Sequence, residues 1–215
     1  MRAGCREKSE RRFAADTGSA EVCGSPMDEA ALQGLLSERT FPRFAEEVAR
    51  EVRDSGAVEV LYGLITERAE ALPRAVRHRI LFRGAYVLER IFFETPELFE
   101  PCIDRFCSRD FPACSDESMK RHFGKIMARL LLDYRPEEAV LERIAEAAAR
   151  WAVEHRAKVA VRVWAVEVLL CCRGRVAWLT EIGDELLAAV GRDASPGIAV
   201  RMRKRWRMAF GGESR

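Results

Sequence analysis

Two short stretches, TPELFE at 95–100 and RPEEAV at 135–140, decide how this chain folds. Each sets a proline in what reads as the first turn of a helix, where a missing N–H costs nothing. Each follows it with glutamates, which suit the positive end of the helix dipole. Pro96 and Pro136 are 40 positions apart, and position 176 opens the next such helix 40 further on. In the helices that precede these openings, Gly84, Gly124 and Ala165 are 40 and 41 apart, each a small residue where two helices can approach closely. A pair of helices repeated about every 40 residues is the pattern of an α-α solenoid.

Working outward, apolar periodicity predicts helices at 27–37, 42–54, 56–69, 74–93, 96–110, 116–132, 137–154, 157–172, 176–190 and 196–209. Pro42, Pro73, Pro96, Pro136 and Pro196 fall at or just before first turns, and Ser115 and Ser195 are the predicted N-caps. Leu, Ala, Glu and Arg dominate the 215 residues, which favours helix because straight side chains lose little freedom there. The predicted fold class is all-α, a right-handed α-α solenoid occupying 27–210. Residues 1–26 mix Gly, Ser and charge without periodicity and are predicted disordered, as is the tail 211–215. Met27, with Asp28 and Glu29 in an apparent first helical turn, reads as an alternative translation start.

Three stretches align as successive repeats: RHRILFRGAYVLERIFFETPELFEPCIDRF, KRHFGKIMARLLLDYRPEEAVLERIAEAAARW and VRVWAVEVLLCCRGRVAWLTEIGDELLAAV. Each pairs an apolar first helix with an acidic-faced second one. On these residues the chain resembles the HEAT-like, armadillo-type helical-repeat superfamily, closely over 74–210 and loosely over 27–73. SMKRHFGKI and the PELFEP opening look like small bacterial members of it. The resemblance implies a packing architecture and a binding surface rather than a particular chemistry.

Several function classes find no support. No apolar run reaches the roughly 20 residues that span a bilayer; the richest, VAVRVWAVEVLLCC, carries Arg162 and Glu167. The N-terminus lacks the continuous apolar centre of a secretory signal, so the expected location is cytoplasmic. Seven cysteines, an odd number without CxxC spacing, read as reduced thiols. Cys102, Cys107 and Cys114 with His122 would be a weak metal set, since five residues are about 140° around a helix. HExxH, GxSxG, Walker and Rossmann signatures are absent, and no catalytic, metal or cofactor-binding residue is predicted.

Charge carries the remaining signal. Net charge is only +2, but the first helices of the repeats hold 18 basic and 4 acidic residues, whereas the second helices hold 6 and 14. Stacked repeats would gather these into a basic and an acidic layer. The residues predicted to bind an anion or partner are Arg79, Arg83, Lys120, Arg121, His122, Lys125, Arg162, Arg201 and Lys204. His122 is also the one candidate general base, with no carboxylate beside it at a recognisable spacing. The expected function is a non-enzymatic protein-interaction scaffold or adaptor whose partner offers an acidic segment. The alternative is nucleic-acid binding through the basic layer, including repair chemistry of the kind found in HEAT-like DNA glycosylases. Against that, Trp164 sits in an apolar run and Trp206 on the apolar stripe of Ile198 and Met202, so both are expected to pack rather than to stack on bases.

Overall fold

The computed structural model of the protein describes residues 27–38, 42–192 and 194–206, with only the backbone of Lys204 and Arg205. The segments predicted disordered lie outside these residues. Among the described residues every regular element is helical. The chain runs through α1 (Glu29–Ser37), α2 (Phe44–Asp54), α3 (Val58–Thr66), α4 (Arg74–Glu94), and an irregular helical segment from Pro96 to Ala113 containing the one-turn pieces α5 (Ile103–Arg105) and α6 (Phe111–Ala113). It continues through α7 (Glu117–Asp133), α8 (Glu138–Val153), α9 (Val159–Cys172), α10 (Ala177–Arg192) and α11 (Pro196–Arg201). α4 packs against α7, α7 against α9 and α9 against α11. On the other side, the end of the irregular segment packs against α8, and α8 against α10. α1, α2 and α3 all rest on α4.

The small residues singled out by their spacing sit where helices meet. A Cβ on Gly84 would come within 2.5 Å of Ile65 Cγ2, and one on Gly124 within 2.9 Å of Trp164 Cβ. Ala165 is fully buried. The caps divide: Ser195 accepts from the Ile198 N–H, whereas α7 is capped by Asp116, which accepts from Ser118 and Met119, and not by Ser115. A carboxylate is the better partner there, because the orphan N–H groups carry partial positive charge.

The single helix predicted at 96–110 is instead a 3₁₀ run (Pro96–Cys102), one α turn and a π turn (Phe106–Asp110). Pro101 inside the run has no N–H to donate, which breaks a regular α-helix there. The π turn has a packing cause. Phe106 and Phe111 are five residues apart, splayed on an α-helix, yet their rings lie 5.9 Å apart and both are fully buried. The wider turn turns both inward. The aromatic ladder then runs Tyr62, Phe99, Phe106, Phe123 with edge-to-face contacts of 5.7, 5.4 and 5.0 Å, and Phe111 meets Trp151 at 4.6 Å. α11 likewise passes into a π turn at Met202–Trp206 where a longer helix was predicted, and Trp206 is fully buried as its stripe position demands.

Candidate functional site

α4 and α7 lie side by side, and the polar residues each carries on its packed face meet in pairs. Glu89 on α4 reaches both His122 and Lys125 on α7. Its Oε2 accepts from His122 Nδ1 and its Oε1 from Lys125 Nζ at 2.6 Å. Burial works against the Glu89 charge, but the hydrogen bonds from His122 and Lys125 prevail and hold its carboxyl below the usual range. A carboxylate can only accept, so the proton facing it sits on Nδ1. His122 is 3% exposed, and its Nε2 is buried without a hydrogen-bond partner among the described residues. Tyr86 and Phe82 cover the imidazole, with ring centroids at 5.6 and 6.2 Å.

Above this polar cluster opens a cleft of about 590 Å³. Phe82, Tyr86 and Phe93 stand along it at helical spacings of four and seven, 44%, 41% and 50% exposed. On the α7 side Arg121 is exposed and makes no ion pair among the described residues. Arg90 at the rim is held by Glu94 and by Glu46 at 3.0 Å. The cleft thus combines three exposed rings with a free guanidinium and a half-buried ammonium. Glu89 with His122 is the carboxylate-imidazole half of a general-base arrangement. Nothing among the described residues supplies Nε2 with a nucleophile, and the covering rings shield it from solvent.

Of the nine residues predicted to form a binding surface, Arg121, His122 and Lys125 are brought together here. Five of the others, Arg79, Arg83, Lys120, Arg162 and Arg201, serve elsewhere. Arg83 donates to the carbonyls of Leu36 and Glu38 and Arg79 to that of Ser37, closing the C-terminal end of α1. Lys120 is 7% exposed, bonded to Glu117 at 2.6 Å and Glu154 at 3.2 Å. Burial opposes its charge, and the two carboxylates outweigh it, raising its pKa. Arg162 is 4% exposed and donates to the carbonyls of Ala152 at 3.0 Å and Val190 at 2.9 Å, at the ends of α8 and α10. Arg201 pairs with buried Glu167 at 2.7 Å, and Trp206 Nε1 lies 3.5 Å from the same carboxylate. The Lys204 side chain lies outside the described residues.

A second polar cluster closes on itself: buried Asp110 accepts from Tyr62 at 2.6 Å, Arg105 at 2.9 Å and Arg109 at 2.8 Å. Burial pushes the Cys102 thiol up to about 11 and that of Cys107 up to about 12, so both are poor nucleophiles at neutral pH. The weak set of Cys102, Cys107, Cys114 and His122 is not gathered into a metal-ligand cluster among the described residues. No helix among them is long and apolar enough to cross a membrane.

Sequence reasoning missed Glu89 and the exposed rings. Glu89 stands among apolar neighbours in AYVLERIFF, and Phe82, Tyr86 and Phe93 share a face of α4 that the run of apolar letters conceals. A charge within an apolar helix that also carries more rings than one buried stripe can hold was the available signal. Comparison with protein-family models, with curated proteins and with solved structures gives no match.

Proposed function

We propose that this protein is a HEAT-like α-solenoid acting as a protein-interaction scaffold, and that the α4–α7 cleft receives an acidic segment of its partner. The solenoid reading is supported by the roughly 40-residue period and by the order of packing, in which α4, α7, α9 and α11 follow one another as first helices while α8 and α10 follow as second ones. The observation that carries the function is the row of exposed rings, Phe82, Tyr86 and Phe93, beside the exposed Arg121. Exposed aromatic side chains offer large contact area at low entropic cost, and arginine beside them adds charge recognition. An amphipathic segment with bulky apolar residues between Asp and Glu matches both features.

A polyanion such as DNA is favoured less. Affinity for a nucleic-acid backbone depends on cations free to displace counterions. Lys120, Lys125 and Arg201 already carry carboxylate partners, and Arg79, Arg83 and Arg162 are spent on backbone carbonyls.

Selection from a displayed random-peptide library tests the proposal. The full chain is the bait, and a Tyr86→Ser/Arg121→Glu double variant, checked for folding by circular dichroism, is the counter-selection. Enrichment of motifs alternating Asp or Glu with Phe, Leu or Trp, lost on the double variant, is the expected result. Enrichment that the variant retains, or no enrichment, would sink the proposal.

A further inference from the structure

A second cleft opens across Phe93 from the first, where α4 and α7 both end. It has a volume of about 480 Å³, within the range of sites that enclose a bulky group. Phe93, Ile103, Leu130 and Tyr134 give it apolar walls. Its charged lining has the opposite sign to that of the α7 side of the first cleft: Glu97, Glu100 and Asp133 against Arg129 alone. Arg129 is already bonded to Asp133 at 2.6 Å. Glu97 and Glu100 are exposed and make no ion pair among the described residues.

The backbone adds to this imbalance. α4 ends at Glu94 and α7 at Asp133, so the C-terminal ends of two long helices come to the same cleft. The last carbonyls of α4 carry part of a negative charge, whereas those of Leu131 and Leu132 at the end of α7 are already met by the Arg135 guanidinium. Tyr134, half-buried at the end of α7, donates to Asp104 Oδ1 at 2.8 Å, which fixes its ring as part of the wall. An apolar hollow flanked by the carboxylates of Glu97 and Glu100 and by the end of α4 suits a bulky apolar side chain flanked by cations. Aromatic walls reinforce that preference, because ring faces attract ammonium and guanidinium groups.

We propose that the cleft between the C-terminal ends of α4 and α7 docks a basic segment of a protein partner, inserting a large apolar side chain between Phe93, Ile103, Leu130 and Tyr134 while its Lys or Arg neighbours meet Glu97 and Glu100. This site goes beyond the acidic-segment cleft and differs from it in the sign of charge, so each can fail alone.

Fluorescence polarisation on the full chain tests it with a labelled peptide, Lys-Lys-Phe-Leu-Lys-Lys, and two controls in which the apolar pair is replaced by serines or the lysines by glutamates. The wild-type protein binds the first peptide and neither control. Glu97→Lys/Glu100→Lys, at exposed positions that leave the core intact, weakens binding by about tenfold or more. Ile103→Ser weakens it by removing a wall. Circular dichroism confirms that each variant is folded, and the glutamate pair decides the matter if Ile103→Ser is not. Absence of binding to the first peptide overturns the proposal. Equal binding of the serine control, or indifference to Glu97→Lys/Glu100→Lys, does so as well.

Discussion

Glu89 is the polar link between α4 and α7, because one buried carboxylate satisfies both His122 and Lys125. Glu89→Ala leaves a half-buried ammonium and a buried imidazole without their partner, and should cost about 3 kcal/mol in chemical denaturation. Its folded-state pKa lies below the ordinary value, so its contribution is complete above the unfolded-state pKa and is lost as pH falls through the folded one. The stability gap between wild type and Glu89→Gln should therefore be largest near neutral pH and shrink below about pH 4. A gap that does not vary with pH would assign Glu89 a packing role only. Glycine at 124 answers to sterics alone. Gly124→Ala forces a methyl against Trp164 Cβ, which moves only with its backbone, and should destabilise by about 1–2 kcal/mol. Gly34→Ala, in α1 with nothing within 4 Å of the new methyl, should stabilise by up to about 1 kcal/mol through helix propensity. Thermal melts of the pair check the opposite signs.

Helix ends show how far the sequence was legible and where it was not. Most helices fall within a few residues of their predicted limits, because period 3.6 and proline at first turns report local energetics. The Pro96–Ala113 segment departs because its geometry answers to the core: Phe99, Phe106 and Phe111 must all point inward, and a π turn achieves what an α-helix of that spacing cannot. Pro101 is a local signal of the break, but nothing local announces the π turn. Caps are similarly competitive, since Ser115 and Asp116 stand side by side and the carboxylate, better matched to the positive end of the helix, takes the position. Asp116→Ala should lower stability by about 1 kcal/mol, whereas Ser115→Ala should stay within about 0.5 kcal/mol. Arg162 binds α9 to the ends of α8 and α10 through carbonyls no sequence pattern announces. Arg162→Lys should not rescue what Arg162→Met loses, because one ammonium cannot reproduce a guanidinium fork that reaches both carbonyls. Urea midpoints of the two variants provide the comparison.

Across the whole molecule, the segregation of charge between first and second helices was readable, but its meaning depended on distances. Lys125 meets Glu89 across α4 and α7, Arg201 meets Glu167 across α9 and α11, and Lys120 meets Glu154 from the end of α8. Many of the cations predicted to form a basic layer are thus mortar between neighbours. In the proposed function, partner binding falls instead to α4, whose exposed rings were hidden in an apolar run, and to Arg121 beside them. Binding of a labelled acidic-aromatic peptide and of duplex DNA, followed side by side at about 0.15 M salt with wild type and Tyr86→Ser, decides between an acidic protein segment and a nucleic acid as the occupant of the α4–α7 cleft. The peptide should bind, weaken by about tenfold on Tyr86→Ser, and outcompete duplex DNA, whose binding should be negligible. DNA binding that exceeds that of the peptide and ignores Tyr86 would contradict the proposed function.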